Sequence, residues 1–245
     1  MIMKIFVFIF IIQITTALSV ETPNNLLPRY RKEQSGKMLE DLKKDTLEMG
    51  GGSVPTLIEV MKSDKYPDRN RWVATFLLAR IMGEKSSDFL VKFIDHPNWV
   101  LRVASLKALL ALKQPQFEKK YLQALKDDAL MVRLQALENI NRMKISNLAP
   151  NVWAMLYDSK NYYQDKQQLK KRADIIKRIV LTIGDLKFKK AEEPLLKMIQ
   201  KPKYEDIFGE MDYALSKISG KKSPEGSVKV KRYFWSKLAI STTEI

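Results

Sequence analysis

The chain holds a single histidine, His96, in the run Asp95-His96-Pro97-Asn98. An imidazole beside a carboxylate can act as a general base or supply one metal ligand. No cysteine occurs anywhere and no second histidine, so thiolate chemistry, disulfides and the usual transition-metal sites have no ligands to draw on. No Gly-x-Ser-x-Gly elbow accompanies His96, and no alternating α/β pattern supports one. His96 therefore reads as a turn or capping residue. The densest carboxylate cluster is Tyr204 to Asp212, YEDIFGEMD, with Glu205, Asp206, Glu210 and Asp212. Paired acids can hydrolyse glycosides without histidine. On one continuous helix Asp206 and Glu210 would share a face, a spacing that also suits a hard cation. In a strongly basic chain these acids read first as caps and a solvated face. Gly50-Gly51-Gly52 lacks a following Lys-Ser or Lys-Thr and reads as a helix stop rather than a phosphate cradle. No catalytic, cofactor-binding or metal-binding residue is assigned, and no cofactor is expected.

Those few polar groups sit on a chain whose ends and charge say more. Met1 to Lys4 is a short charged start, Ile5 to Ile12 an unbroken apolar run, and Gln13 to Ser19 a more polar segment with small residues at Ala17 and Ser19. That order predicts a secretory signal peptide over 1–19, cleaved after Ala17 or Ser19. The competing reading is a retained amino-terminal membrane anchor. The expected location is thus exported, periplasmic or secreted. Formal net charge is +15 over 245 residues. Such a field favours anionic partners. Outside the cytoplasm these include anionic envelope surfaces and acidic proteins as well as nucleic acid.

Residues 20–33 read as a linker or irregular lead-in, and 34–220 as helical throughout. Met38, Leu39, Leu42 and Leu47 share one face of a first helix. After it, shorter segments near 53–63, 86–95, 117–127, 147–157 and 191–200 alternate with longer ones near 70–82, 99–112, 130–143, 168–183 and 207–219. Turn residues such as DKYPDRN and DHPN join the members of a pair. Strand-type alternation is nearly absent, which predicts an all-α fold. The longer segments align on Arg71, Arg102 and Arg133, spaced by 31 residues. Three positions on lie Ala74, Ser105 and Ala136. Seven on lie Leu78, Leu109 and Ile140, and ten on lie Ile81, Leu112 and Met143. Offsets of three, seven and ten share one helix face. One pair cannot bury that face alone, whereas a stack of pairs can.

These units resemble HEAT repeats, in particular the short bacterial HEAT-like units also found in phycobilisome lyases. VRLQALENI at 132–140 and WVLRVASLKAL at 99–109 carry the early half of the pattern. RWVATFLLARIMG at 71–83 and ADIIKRIVLTIGD at 173–185, with its Ile183-Gly184-Asp185, carry the later half, and MDYALSKISG at 211–220 follows. The resemblance covers about 53–220 and implies a right-handed α-solenoid of about five antiparallel helix pairs. It also implies that the repeated arginines pack between repeats against acids, here Asp95 and Asp127 in the turns just before Arg102 and Arg133. Modules of this kind mostly bind proteins; some act on chromophores and distant relatives bind DNA. No residue pattern marks a bilin pocket. Arg133 to Arg172 is 39 residues rather than 31, which predicts an insertion near 158–167.

With the arginines assigned to the architecture, partner binding is sought elsewhere. KQQLKKRADIIKR at 166–178 offers Lys166, Lys170, Lys171 and Arg178. The segment 221–245 is a basic aromatic tail or cap, in which Lys229, Lys231, Arg232 and Lys237 flank Tyr233 and Trp235. Interleaved cations and aromatics suit stacking on bases or a membrane interface; the same residues also suit apolar cover for a terminal repeat. Trp72, Trp99 and Trp153 are expected in core or inter-repeat packing. The expected function is a non-enzymatic exported scaffold that binds another protein or an anionic envelope component, with peripheral membrane contact at the tail. The alternative is a basic nucleic-acid-binding repeat protein with base-directed chemistry.

Overall fold

Apolar periodicity places the helices within a few residues of where they form. The computed structural model describes residues 26–162 and 174–241, without side-chain detail from 239 onward. A short α1 (Leu27–Tyr30) precedes α2 (Gly36–Glu48), α3 (Val54–Lys62), α4 (Asp68–Met82), α5 (Ser87–Leu90), α6 (Trp99–Ala111) and α7 (Glu118–Ala124). Then come α8 (Leu130–Arg142), α9 (Ala149–Ala154), α10 (Asp174–Asp185), α11 (Glu192–Ile199), α12 (Phe208–Ser219) and α13 (Val228–Ser241). The fold is all-α, with no strand among the described residues. None of these helices is long and apolar enough to cross a membrane. The predicted signal segment at 1–19 lies outside the described residues.

The longer helices form a series, α4 on α6, α6 on α8, α8 on α10 and α10 on α12. The shorter α3, α7, α9 and α11 pack on α4, α8, α10 and α12 in turn. The sequence register explains the order. Ala74, Ser105 and Ala136 are fully buried, as are Leu78, Leu109 and Ile140. Ile81, Leu112 and Met143 are half-buried against the same core. The small residue lets a neighbouring backbone come close. At Ser105 the hydroxyl also donates to the Leu90 carbonyl.

Helix ends repeat as well. Lys113, Lys144 and Lys187 follow α6, α8 and α10 with positive φ. In each case the next residue's N–H returns to a carbonyl inside the helix: Gln114 to Leu109, Ile145 to Ile140 and Phe188 to Ile183. That hydrogen bond is the stop signal of a left-handed helix cap. Gly83 (φ 56°) and Gly220 (φ 75°) hold left-handed positions after α4 and α12. Both ends of the series are covered. At the start, buried Asn70 donates through Nδ2 to the carbonyls of Tyr30 (2.8 Å) and Lys32 (2.7 Å), and Tyr30 is itself fully buried. Burial pushes the Tyr30 phenol up to about 12. At the far end α13 lies on α11.

Gly184 marks the tightest crossing. A Cβ there would stand 2.7 Å from the Ala214 Cα, so α10 and α12 meet backbone to backbone. Gly184→Ala should lower stability by about 1–3 kcal/mol, the usual cost of overpacking. Gly209→Ala, on α12 with nothing within 4 Å of its Cβ, is the matched control. Urea midpoints measure both, and equal midpoints would contradict the close crossing.

Candidate functional site

Arg71, Arg102 and Arg133 each leave their own helix and reach into the turn that follows. Arg71 Nε and Nη2 donate to the Met61 carbonyl (3.3 and 3.1 Å), and Nη2 meets His96 Nε2 at 3.1 Å. Arg102 grips Asp127 with two bonds, Nε to Oδ2 at 2.7 Å and Nη2 to Oδ1 at 2.8 Å. Its Nη1 donates to the carbonyl of His96 at 2.8 Å. Arg133 donates to Asn161 Oδ1 (2.9 Å), to the Lys160 carbonyl (3.0 Å) and, at 2.7 Å, to the carbonyl of Asp127. Residues 96 and 127 thus take the preceding arginine on the side chain and the following one on the backbone. The expected pairing of Asp95 with Arg102 and Asp127 with Arg133 is corrected: Asp127 serves the arginine of the repeat before it. Asp95 turns outward to Lys120 (2.5 Å) and Gln123 (2.8 Å). The lysine hydrogen bond holds its carboxyl below the usual range.

His96 is accordingly a rung of this ladder, equivalent to Asp127. Its Nδ1 faces the Asn98 N–H at 3.0 Å while Nε2 faces a guanidinium. Both neighbours are donors, and a neutral imidazole has only one acceptor nitrogen. A second ring proton would meet donors on both sides. Burial and then the Arg71 charge push its pKa below the ordinary 6.5, with Arg102 adding to the push and Asp68 opposing it. The Phe93 ring stacks on the imidazole, 5.7 Å between centroids.

The carboxylates do not converge. Pro202–Ile207 is a 3-10 segment and α12 begins only at Phe208, so Asp206 and Glu210 do not share the face expected of one helix. Glu210 lies 3.7 Å from Lys177. Asp212 is committed to the tail: it accepts from Ser223 Oγ (2.7 Å), Lys231 Nζ (2.9 Å) and Trp235 Nε1 (2.8 Å). Burial pushes the Asp212 carboxyl up, but these three donors outweigh it and hold it below the usual range. Among the described residues no three His, Asp or Glu side chains gather as a metal group.

The candidate partner-binding residues separate. Lys166, Lys170 and Lys171 lie outside the described residues. Arg178 is exposed on α10, 3.3 Å from Glu138 of α8. In α13, Trp235 is 0% exposed and Lys231 is bound to Asp212. Arg232 Nε donates to the Ile199 carbonyl at 3.1 Å, and its guanidinium lies over the Phe208 ring. Lys229 is exposed, and Tyr233, 62% exposed, carries Lys237 over its ring at 4.6 Å. Trp99 is not in the core as expected: it is 47% exposed at the start of α6. Trp72 and Trp153 are half-buried against the core.

An open groove instead joins α6, α8 and α10. It measures about 650 Å³ and carries Lys107, Lys113, Arg142 and Arg178, with Glu138 as the one carboxylate among the described residues that line it. Val103, Leu110, Met131 and Leu134 form its apolar floor. Sequence reasoning passed over Lys107, Lys113 and Arg142. For Lys107 and Arg142 the signal was present five and nine positions after the arginines: Lys107 and Ala111, then Glu138 and Arg142. Those offsets share a face opposite the buried one. No protein-family model matches the chain, and no curated protein matches it.

The His96 rung generates a sign-definite test. A group whose pKa is depressed by folding contributes stability above its unfolded value and loses it as pH falls toward the folded one. Wild-type protein should therefore lose more stability than His96→Gln between about pH 7.5 and about pH 5.5, where carboxylates change little. Urea midpoints at the two pH values measure this. Parallel losses would remove the proton sensitivity from His96.

Proposed function

We propose that the chain is a non-enzymatic helical-repeat scaffold that binds an acidic segment of a partner protein. In this reading the helix series is a right-handed α-solenoid of HEAT-like type, with about five antiparallel pairs, and the groove face of the longer helices is the binding surface. The observation that carries the proposal is the groove lining itself, four cations against one carboxylate over an apolar floor. Charged residues with an apolar floor suit a peptide that brings both acidic and apolar side chains. Arg178 and Arg142 both lean toward Glu138, at 3.3 and 3.9 Å, so the one acid is neutralised rather than poised for chemistry.

A second reading has an observation of its own. Trp72 and Arg80 stand next to the groove with Lys107 between, and an arginine-rich groove with an aromatic at its rim also suits a nucleic-acid strand. One experiment separates the two. Fluorescent poly-glutamate and a single-stranded oligonucleotide are titrated, at matched ionic strength, against the wild type and Arg142→Glu/Arg178→Glu. The protein-scaffold reading expects poly-glutamate binding that weakens about tenfold or more in the variant, a loss of about 1.4 kcal/mol or more. Tighter binding of the oligonucleotide, lost in the same variant, would transfer the proposal to nucleic acid.

Export belongs to the same proposal and rests on the order of residues 1–19. Mass measurement of the mature amino terminus should show a chain beginning at Leu18 or Val20. An intact Met1 in the membrane fraction would establish the anchor instead.

A further inference from the structure

Beside the groove, on the side of α2 and α4, lies a second cleft of about 490 Å³. That volume is within the range of small-ligand pockets, ~300–1,000 Å³. Its floor is apolar: Trp72 and Phe76, ring centroids 5.5 Å apart and tilted by 41°, with Val73 and Leu77. Its rim is cationic and drawn from three helices, Lys43 of α2, Arg80 of α4 and Lys107 of α6. Among the described residues no carboxylate lines it. Lys107 holds its ammonium 5.6 Å from the Trp72 ring, a cation–π contact rather than an ion pair. Lys43 is 2.8 Å from Glu40, one turn back on α2 and outside the cleft.

The repeat register sets the lining of this cleft apart from the equivalent positions of the other long helices. Trp72 and Phe76 occupy the positions held by Val103 and Lys107 in α6 and by Leu134 and Glu138 in α8. The buried positions of the three helices are uniform in character, small then large apolar, because each must fit its neighbours. The position five after the arginine is more open, exposed Lys107 in α6 and half-buried Glu138 in α8, and only α4 places a ring there, Phe76, with Trp72 beside it.

We propose that this cleft is a binding site for an anionic amphiphile, an apolar chain or ring ending in a carboxylate or phosphate. The apolar part lies on Trp72 and Phe76, and the anionic end is taken by Arg80 with Lys43 and Lys107. Charge complementarity selects the ligand: the cleft brings three cations to its rim, and of these only Lys43 has a carboxylate partner among the described residues, Glu40, which lies outside the cleft. The site is distinct from the partner groove and shares only Lys107 with it.

Isothermal titration of full-length protein with octanoate, octyl phosphate, octanol and octylamine tests the assignment. Octanoate and octyl phosphate should bind saturably and about tenfold or more tighter than octanol and octylamine. Shortening octanoate to hexanoate should weaken binding roughly threefold or more for each methylene removed. Lys43→Glu/Arg80→Glu, which leaves the groove residues untouched, should reverse the preference in favour of octylamine. Trp72→Ala should abolish binding of all four. Arg142→Glu/Arg178→Glu should leave octanoate binding unchanged, so failure of the groove and failure of the cleft give different results. Vesicles of phosphatidylglycerol separate a free ligand from a lipid headgroup. Binding to vesicles with no saturable octanoate or octyl phosphate binding would overturn the cleft, as would equal affinity for octanol and octanoate.

Discussion

A guanidinium placed away from water needs an acceptor for each of its N–H groups, and that requirement organises this structure. Arg71 and Arg133 are each only 3% exposed. Their donors cannot be satisfied within their own helices, whose carbonyls are already bonded along the helix. They therefore run to the turns, the places where carbonyls and short polar side chains stand free. The turn at His96 and the turn at Asp127 each accept two arginines, one from either side. The ladder is consequently continuous: no rung can move without disturbing the turn that serves the next one. Removing one partner from such a buried charge costs ~3–5 kcal/mol, far more than an exposed ion pair contributes.

The rungs differ in what receives them, and the difference has consequences. Arg102 meets a full carboxylate in bidentate geometry. Arg133 meets the Asn161 amide and three backbone carbonyls, so its charge is matched by dipoles alone among its hydrogen-bond partners. Arg71 meets the Met61 carbonyl, a long contact to Asp68 at 3.4 Å, and an imidazole. One geometry is thus executed with three chemistries, of which only the imidazole titrates near neutrality. Turn residues at equivalent positions share a place in the ladder without sharing a charge.

Much of this was legible in the sequence because it is periodic. The small residue three places after each arginine and the large one seven places after it are local statements about one helix face, and the packing follows them. What was not legible depends on distance in space. Asp127 stands six residues before Arg133 and twenty-five after Arg102, and proximity in sequence suggested the wrong partner. Trp235 looked like half of a basic aromatic patch until Asp212, on the preceding long helix, was seen to take its indole N–H. The same carboxylate takes Lys231, so an apparent surface cation and an apparent surface ring are two parts of one internal clasp. Trp99 was expected inside because of its area, yet at the first position of α6 it stands half in water.

The two ends show what a stack of this kind does with its aromatic and polar residues. A stack of amphipathic helices must cover its first and last apolar faces. Here Leu26 and Tyr30 cover one and Trp235 the other, each tied by hydrogen bonds to a buried polar residue, Asn70 or Asp212. Those clasps absorb aromatics and cations that would otherwise be free to bind. The turns are absorbed by the ladder. Along the long helices, the positions five and nine after the arginines lie outside the buried core and the ladder, at Phe76, Lys107 and Arg142 among others. Phe76 there on α4, Lys107 there on α6 and Arg142 on the last turn of α8 stand outside the core cluster. That face, with a large apolar ring beside cations from neighbouring helices, is the one on which the proposed partner segment and cleft ligand rest.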